Sequence, residues 1–174
     1  MFEKFLPRLR VNSVYDLDLD ALYASGYRYI MTDLDNTLVG AKAPLATPEL
    51  IEWFKGVKEK GFKLIIVSNN NLTRVSAFSA PLNIEFVHTA RKPSTSAFRR
   101  AMKMMGAQPQ ETIMIGDQLM TDIFGGNRLG LYTVLVLPIA VADEGWGTRI
   151  NRRLEKLVKR SLKKAGLWTW EDKN

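Results

Sequence analysis

Tyr27-Arg28-Tyr29-Ile30-Met31-Thr32-Asp33-Leu34-Asp35-Asn36-Thr37-Leu38 begins as a strand-forming run and ends in two acids. Tyr27 to Leu34 reads as a β-strand. Residues two apart on a strand point to the same side, so Asp33 and Asp35 project together just past its end. Two carboxylates that close repel unless a cation neutralises one or a proton sits on the other. Both remedies suit phosphoryl transfer. Ligands in open α/β sheets bind outside the carboxyl ends of strands, where this pair lies. Taken alone, the stretch also fits an acidic turn with Asn36 and Thr37 as turn or capping residues.

Outward from this strand, short apolar runs alternate with amphipathic segments, the pattern of a parallel sheet flanked by helices. Thr47-Pro48-Glu49 starts a helix, with Thr47 as N-cap and Pro48 in the first turn, where its missing N–H costs nothing. That helix presents Leu50, Ile51, Phe54 and Val57 on one side and stops at Gly61. Further strands are expected at Phe62 to Ser68, Ile84 to His88, Thr112 to Ile115 and Tyr132 to Leu137. Helices are expected at Leu72 to Phe78, Thr95 to Met105, about Thr121 to Leu129, and Ile150 to Lys164. The whole chain reads as one unit with a core at about residues 20–140. A basic amphipathic helix follows at about 148–165, with Ile150, Leu154, Leu157, Val158 and Leu162 on one side.

Three more strand ends carry polar groups suited to the same chemistry. Ser68-Asn69-Asn70 follows an apolar strand, where a hydroxyl and free backbone N–H groups can hold a phosphoryl oxygen. Arg91-Lys92-Pro93 offers a compact point charge for a phosphate. Gly116-Asp117-Gln118-Leu119-Met120-Thr121-Asp122 carries two acids five residues apart, hard oxygen donors of the kind Mg²⁺ takes. Each also has a plain structural reading: a turn with a helix cap, an exposed loop lysine, an acid in a helix first turn.

Composition narrows the field. The chain has 174 residues, near-average hydrophobic content and no cysteine, which excludes disulfides, a thiol nucleophile and a cysteine zinc site. The one histidine, His88, excludes a multi-histidine metal site within the chain, and a structural role for it is favoured. No apolar run approaches the roughly 20 residues a membrane span needs. The N-terminus lacks the features of a secretory signal, so a cytoplasmic location is the expectation. Residues 149–174 hold nine Lys/Arg and three Asp/Glu, +6 of the net +7. This asymmetry points to an anionic partner for the tail. An anionic membrane surface is favoured over nucleic acid, with a merely solvated helix face as the alternative. Phe2, Phe5, Leu6 and Leu9, among Lys4, Arg8 and Arg10, extend that surface.

The four strand-end motifs, in the order DxDxT, apolar-Ser, Lys, GDxxxxD, resemble the haloacid dehalogenase superfamily of Mg²⁺-dependent phosphohydrolases. More closely, Asp33 to Val39, Ser68 to Asn70, Arg91 to Pro93 and Gly116 to Asp122, continuing into Gly125 to Arg128 and Gly130, resemble the YqeG-like phosphatases of subfamily IIIA. These are similar in turn to the mitochondrial phosphatidylglycerophosphate phosphatases. The likeness spans roughly residues 7 to 155, with no departure at a core motif position. It implies a three-layer α/β/α, Rossmann-like fold around a parallel sheet. It also implies roles: Asp33 as nucleophile through an aspartyl-phosphate, and Asp35 as general acid and then base. Thr37, Ser68, Asn69 and Lys92 would serve the phosphoryl group, with Asn36 shaping the loop. Mg²⁺ would take the Asp33 and Asp117 carboxylates and the main-chain carbonyl of Asp35. Asp122 would act through a metal-bound water or by holding Lys92.

The spacing adds a constraint on the substrate. Neither the Asp33–Ser68 nor the Ser68–Lys92 interval is long enough for a separate cap domain. The site is therefore expected to be open to solvent and to suit a large substrate, such as a lipid head group. Competing readings are a phosphatase of a soluble sugar phosphate, nucleotide or phosphoprotein, a non-enzymatic binding module of this fold docking a protein or RNA, and a receiver domain phosphorylated by a kinase. Intact Asp33, Asp35, Lys92 and Asp117 argue against a binding module, and the DxDxT pairing argues against a receiver.

Overall fold

The structure, a computed structural model, describes residues 2–143 and 145–170, without the side chains at positions 2 and 146. The expected surface contribution of Phe2 therefore lies outside the described residues. Six parallel strands form one sheet: β1 (Leu9–Arg10), β2 (Tyr29–Thr32), β3 (Lys63–Val67), β4 (Glu85–Val87), β5 (Thr112–Gly116) and β6 (Tyr132–Leu135). Their order is β1-β6-β5-β2-β3-β4, so β2 is central, flanked by β5 and β3. The helices are α1 (Leu19–Ala24), α2 (Pro48–Glu59), α3 (Leu72–Ser79), α4 (Thr95–Met105), α5 (Phe124–Arg128) and α6 (Trp146–Lys164).

Alternation along the strands builds two core layers. Ile30, Ile66, Ile113, Ile115 and Val134 face Leu50 and Val57 of α2, Val75 and Phe78 of α3, and Leu19 and Leu22 of α1. Met31, Ile65, Val67 and Met114 face the other way, onto Phe98, Ala101, Met102 and Met105 of α4. The three-layer α/β/α architecture expected from the sequence is present. A third cluster joins Leu119, Ile123 and Leu135 to Leu162 and Trp168, with Phe5, Leu6, Val158 and Trp170 packed against it. Trp168 and Trp170 thus pack the segment that follows α6 onto the core.

Several boundaries shift for local reasons. Thr47 caps α2 as expected, its side chain accepting from Leu50 N. Two elements escape the hydropathy pattern: β1, only two residues long, and α1, capped by Asp18, whose side chain accepts from Ala21 N at 2.9 Å. The helix expected from Thr121 begins earlier, as a π-helical turn over Leu119–Ile123 in which the N–H groups of Asp122 and Ile123 both donate to Gln118 O. Such wide turns are common at functional sites.

α6 starts at Trp146 and its expected apolar stripe is split. Val158 and Leu162 pack inward, whereas Ile150, Leu154 and Leu157 are 37%, 43% and 57% exposed. The inward turn beside them is taken by a buried acid, Glu155, and by Arg152. The five apolar residues span more than the arc one packing face can use.

Candidate active site

The tips of β2, β3, β5 and the β4–α4 loop converge on one polar cavity of about 530 Å³. β2 ends at Thr32, and Asp33 N still donates to Ile115 O at 2.9 Å, which holds the acid at the sheet's centre. The tight turn that follows rests on Asn36, at φ 66°. This left-handed conformation is one that Asn tolerates better than most residues. Its side-chain oxygen accepts from Ala140 N, and its N–H donates to Val39 O. Asn36 thus braces the loop.

Lys92 is buried and reaches under Asp33. Its Nζ lies 2.8 Å from Asp33 Oδ1, 2.8 Å from Asp122 Oδ1 and 2.7 Å from Val67 O. Asn69 clamps the lysine's backbone, accepting from Lys92 N at 2.7 Å and donating to Lys92 O at 3.3 Å. Its side chain thus holds Lys92 from a position on the cavity lining. Ser68 lines the cavity, and its Oγ accepts from Asn70 N at 3.1 Å. Asp122 is fully buried over Gly116, where a Cβ would overlap its carboxylate, and its Oδ2 accepts from Gln118 N. Asp122 thus holds Lys92.

Asp33, Asp117 and Asp122 each bring a carboxylate oxygen within 4.8 Å of the others. Burial pushes the Asp33 acid up to about 6, opposed by Lys92 and reinforced by Asp122. Burial also lifts Asp117 to about 8, opposed by Arg152 and reinforced by Asp33 and Asp122. For Lys92, burial works against the charge, but Asp122 and Asp33 outweigh it and its pKa rises. Four buried acids, Asp33, Asp117, Asp122 and Glu155, against Lys92 and Arg152 leave excess negative charge, and hard oxygen donors so arranged fit a divalent cation.

Thr37 and Asp35, expected to serve the phosphoryl group and proton transfer, take different places: Asp35 lines the cavity and Thr37 does not. Thr37 is not among the cavity-lining residues, because its hydroxyl donates to Asp117 Oδ1 at 3.1 Å and is committed to the acid cluster. The Asp35 carboxylate lies apart from the cluster. Its Oδ1 accepts from Arg74 Nε and Nη2 at 3.1 and 2.9 Å, and its Oδ2 from Asn70 Nδ2 at 2.8 Å.

The sequence reading missed Arg74, Arg152 and Glu155. Arg74 carries no motif signal. Glu155 had one, as the lone acid among the eight basic residues of 149–164. Arg152 pairs with the Asp117 carboxylate and donates to Asp117 O at 2.7 Å. His88 lies outside the cavity lining, with Nδ1 3.0 Å from Thr89 Oγ1. The stretches between Asp33 and Ser68 and between Ser68 and Lys92 hold no inserted domain. The cavity is nevertheless not bare: Gly145, Gly147, Thr148 and Asn151, at the start of α6, form one wall.

The acid pair at the central strand tip, the lysine beneath it and the third acid opposite define a class. A family model described as haloacid dehalogenase-like hydrolase matches residues 4–130, and the chain belongs to the phosphatases of that family. It is 47% identical over 168 residues to the probable phosphatase YqeG of Bacillus subtilis, covering 97% of both chains. It is 34% identical over 173 residues to phosphatidylglycerophosphate phosphatase 1, chloroplastic/mitochondrial, of Arabidopsis thaliana, with 92% of this chain covering 49% of that protein. The structure of NagD from Escherichia coli shares the fold, with a TM-score of 0.54 at 16% identity over 67% of this chain and 90% of the other.

Proposed function

We propose that the protein is a Mg²⁺-dependent phosphatase that forms an aspartyl-phosphate on Asp33 and acts on a lipid-borne phosphomonoester, with phosphatidylglycerophosphate as the substrate to test first. The observation that carries the hydrolytic part is the buried Asp33–Lys92 contact of 2.8 Å at the floor of a polar cavity, with Asp117 beside it. Asp33 Oδ attacks phosphorus, the bond to the alcohol breaks, and Asp35 supplies the proton the alcohol needs. Asp35 then takes a proton from the water that cleaves the acyl phosphate. Lys92 and Ser68 receive phosphoryl oxygens. Asp33, Asp117 and the Asp35 main-chain carbonyl would hold Mg²⁺, which when bound would supply positive charge to offset the phosphoryl oxygens. Thr37 and Asn69 support this set through Asp117 and Lys92.

Two observations support the lipid substrate. The plant relative is named for phosphatidylglycerophosphate. The outer face of α6 exposes Ile150, Leu154 and Leu157 among the exposed cations Arg149, Arg153, Lys156, Arg160, Lys163 and Lys164, beside the cavity wall. Apolar residues framed by cations suit the head-group region of an anionic membrane. On this reading the protein works peripherally at such a surface. Among the described residues, no helix is long and apolar enough to cross a membrane.

The test is hydrolysis of phosphatidylglycerophosphate in mixed micelles beside a panel of soluble phosphomonoesters, with and without Mg²⁺. Mg²⁺-dependent phosphate release from the lipid, absent in Asp33→Asn, is the expected outcome. Turnover confined to soluble esters would remove the lipid and keep the phosphatase. Full activity after exhaustive chelation would remove the metal.

A further inference from the structure

The contacts of α6 with the acid cluster suggest more than a wall. Arg152 Nη1 donates to Asp117 O at 2.7 Å, and its Nη2 pairs with Asp117 Oδ2. The same Nη1 donates to Glu155 Oε2 at 3.3 Å, and Glu155 Oε1 accepts from Met120 N at 3.4 Å. A closed chain of polar contacts thus runs from Asp117 to Arg152, to Glu155, and back into the loop that carries Asp117. All of it is largely withdrawn from water: the side chains of Asp117, Glu155 and Arg152 are 0%, 6% and 17% exposed.

Burying charged groups in a helix that is otherwise basic and outward-facing is costly, and in some proteins such groups fix one conformation. What they fix is the one acid of the cluster contributed by the β5 tip. Thr37 holds Asp117 Oδ1 and Arg152 holds Oδ2, so the carboxylate cannot rotate without breaking one or the other.

We infer that Arg152 is a positioning residue for Asp117 as a metal ligand, seated by Glu155, so that α6 is a structural arm of the metal centre. The inference rests on the metal-dependent reading above. A guanidinium also repels a nearby divalent cation, so two effects compete. Pre-orientation strengthens binding, and repulsion weakens it. Partners that orient metal-bound carboxylates are typically worth 10–100-fold in affinity or activity. Arg152 already spends its charge on Asp117 and Glu155, so orientation outweighs repulsion here. Binding free energy is shared in both directions, so a cation at the acids should also hold α6 more firmly.

The test reads metal binding directly, without substrate. Mn²⁺ is titrated by electron paramagnetic resonance into the full-length protein, Arg152→Lys, Arg152→Ala, Glu155→Gln and the outward control Arg160→Ala. The expected result is a dissociation constant weakened roughly 10–100-fold in Arg152→Ala. Arg152→Lys, which keeps the charge but not the fork, should fall in between, as should Glu155→Gln, with Arg160→Ala unchanged. Hydrogen exchange on the unmutated protein gives a reading that needs no variant: Mg²⁺ should slow the amides of 146–164. Equal or tighter Mn²⁺ binding in folded Arg152 variants, or α6 exchange indifferent to Mg²⁺, overturns the inference. If the unmutated protein bound no Mn²⁺, the metal reading itself would fail and the inference with it.

Discussion

Arg74 holds Asp35 with two donors on a single carboxylate oxygen, Nε at 3.1 Å and Nη2 at 2.9 Å, while Asn70 takes the other oxygen. The acid assigned to proton transfer therefore has its orientation set by α3, which follows the Ser68 strand. Asp35 and Ser68 are registered to each other through Asn70, whose N–H donates to Ser68 Oγ and whose amide donates to Asp35. Asn70 thus ties the proposed phosphoryl-binding group, on the loop after β3, to the proposed proton donor, on the loop after β2.

Asp35→Asn should lower turnover by the ~10²–10⁴-fold that a positioned acid–base group supplies. Arg74→Gln keeps Asp35 itself but releases its fixed orientation, so the loss should be a fraction of that, roughly tenfold, and seen in kcat more than in KM. Steady-state kinetics on any ester the protein cleaves will show it. A kcat unchanged in Arg74→Gln would mean that Asp35 is not oriented by α3 during turnover.

The acid cluster ties metal binding to pH. The Asp33 and Asp117 acids sit at about 6 and about 8, above their ordinary value of 3.8, because burial disfavours the carboxylates. Raised acids stabilise the fold fully below the unfolded value, and that contribution is lost as pH rises through the folded values. The metal-free protein should therefore lose stability from about pH 4 to about pH 8 through these two groups. A divalent cation competes with the protons, so the rise in Tm on adding Mg²⁺ should be small near pH 5 and grow to about pH 8. Thermal melts with Mg²⁺ and with chelator across this range test it. A Mg²⁺ increment flat with pH would contradict it.

Two glycines should respond oppositely to alanine. At Gly116 a Cβ would overlap the buried Asp122 carboxylate, which in turn holds Lys92, so Gly116→Ala should cost about 1–3 kcal/mol and much of the activity. At Gly56, inside α2, nothing lies within 4 Å of the added carbon, so Gly56→Ala should stabilise by about 0.4–1 kcal/mol and leave turnover alone. Urea unfolding of both variants separates the cases. Equal stabilities would show that Asp122 moves aside freely.

Much of this site was legible because its residues follow apolar strands. Ile65, Ile66 and Val67 announce Ser68, and Ile113 to Ile115 announce Gly116 and Asp117, since a buried strand needs an unbroken apolar run. What stayed hidden is set by tertiary geometry. Arg74 and Arg152 are ordinary surface-type residues on amphipathic helices, and nothing local distinguishes an arginine aimed at an acid 35 or 39 positions away from one aimed at water. The α6 stripe misled for the same reason. Periodicity lists apolar residues on one broad arc, and only the packed partner decides which part of the arc is buried. α1 escaped because it is six residues long, although Asp18 ahead of Leu19 and Leu22 carried a cap signal.

The outward face of α6 yields the last prediction. Arg152 is engaged with Asp117, and Lys159 lies 5.3 Å from the Trp168 ring, so neither is the right probe of membrane attraction. Arg153, Lys156 and Arg160 are exposed beside Leu154 and Leu157. Basic residues near an anionic bilayer contribute about 1 kcal/mol each, so neutralising these three should weaken vesicle binding by on the order of 10²-fold, and reversing them to Glu by more. Salt should weaken the unmutated protein in the same direction. Leu154→Ser with Leu157→Ser should also weaken binding, but with little change in its salt dependence, because that part comes from apolar burial. Flotation with phosphatidylglycerol-containing and neutral vesicles reads all of these. Soluble-ester turnover should persist in the Arg153, Lys156 and Arg160 variants, since these residues do not touch the acid cluster. Failure to bind anionic vesicles even at low salt would leave α6 as a wall and arm of the site, serving a water-soluble ester.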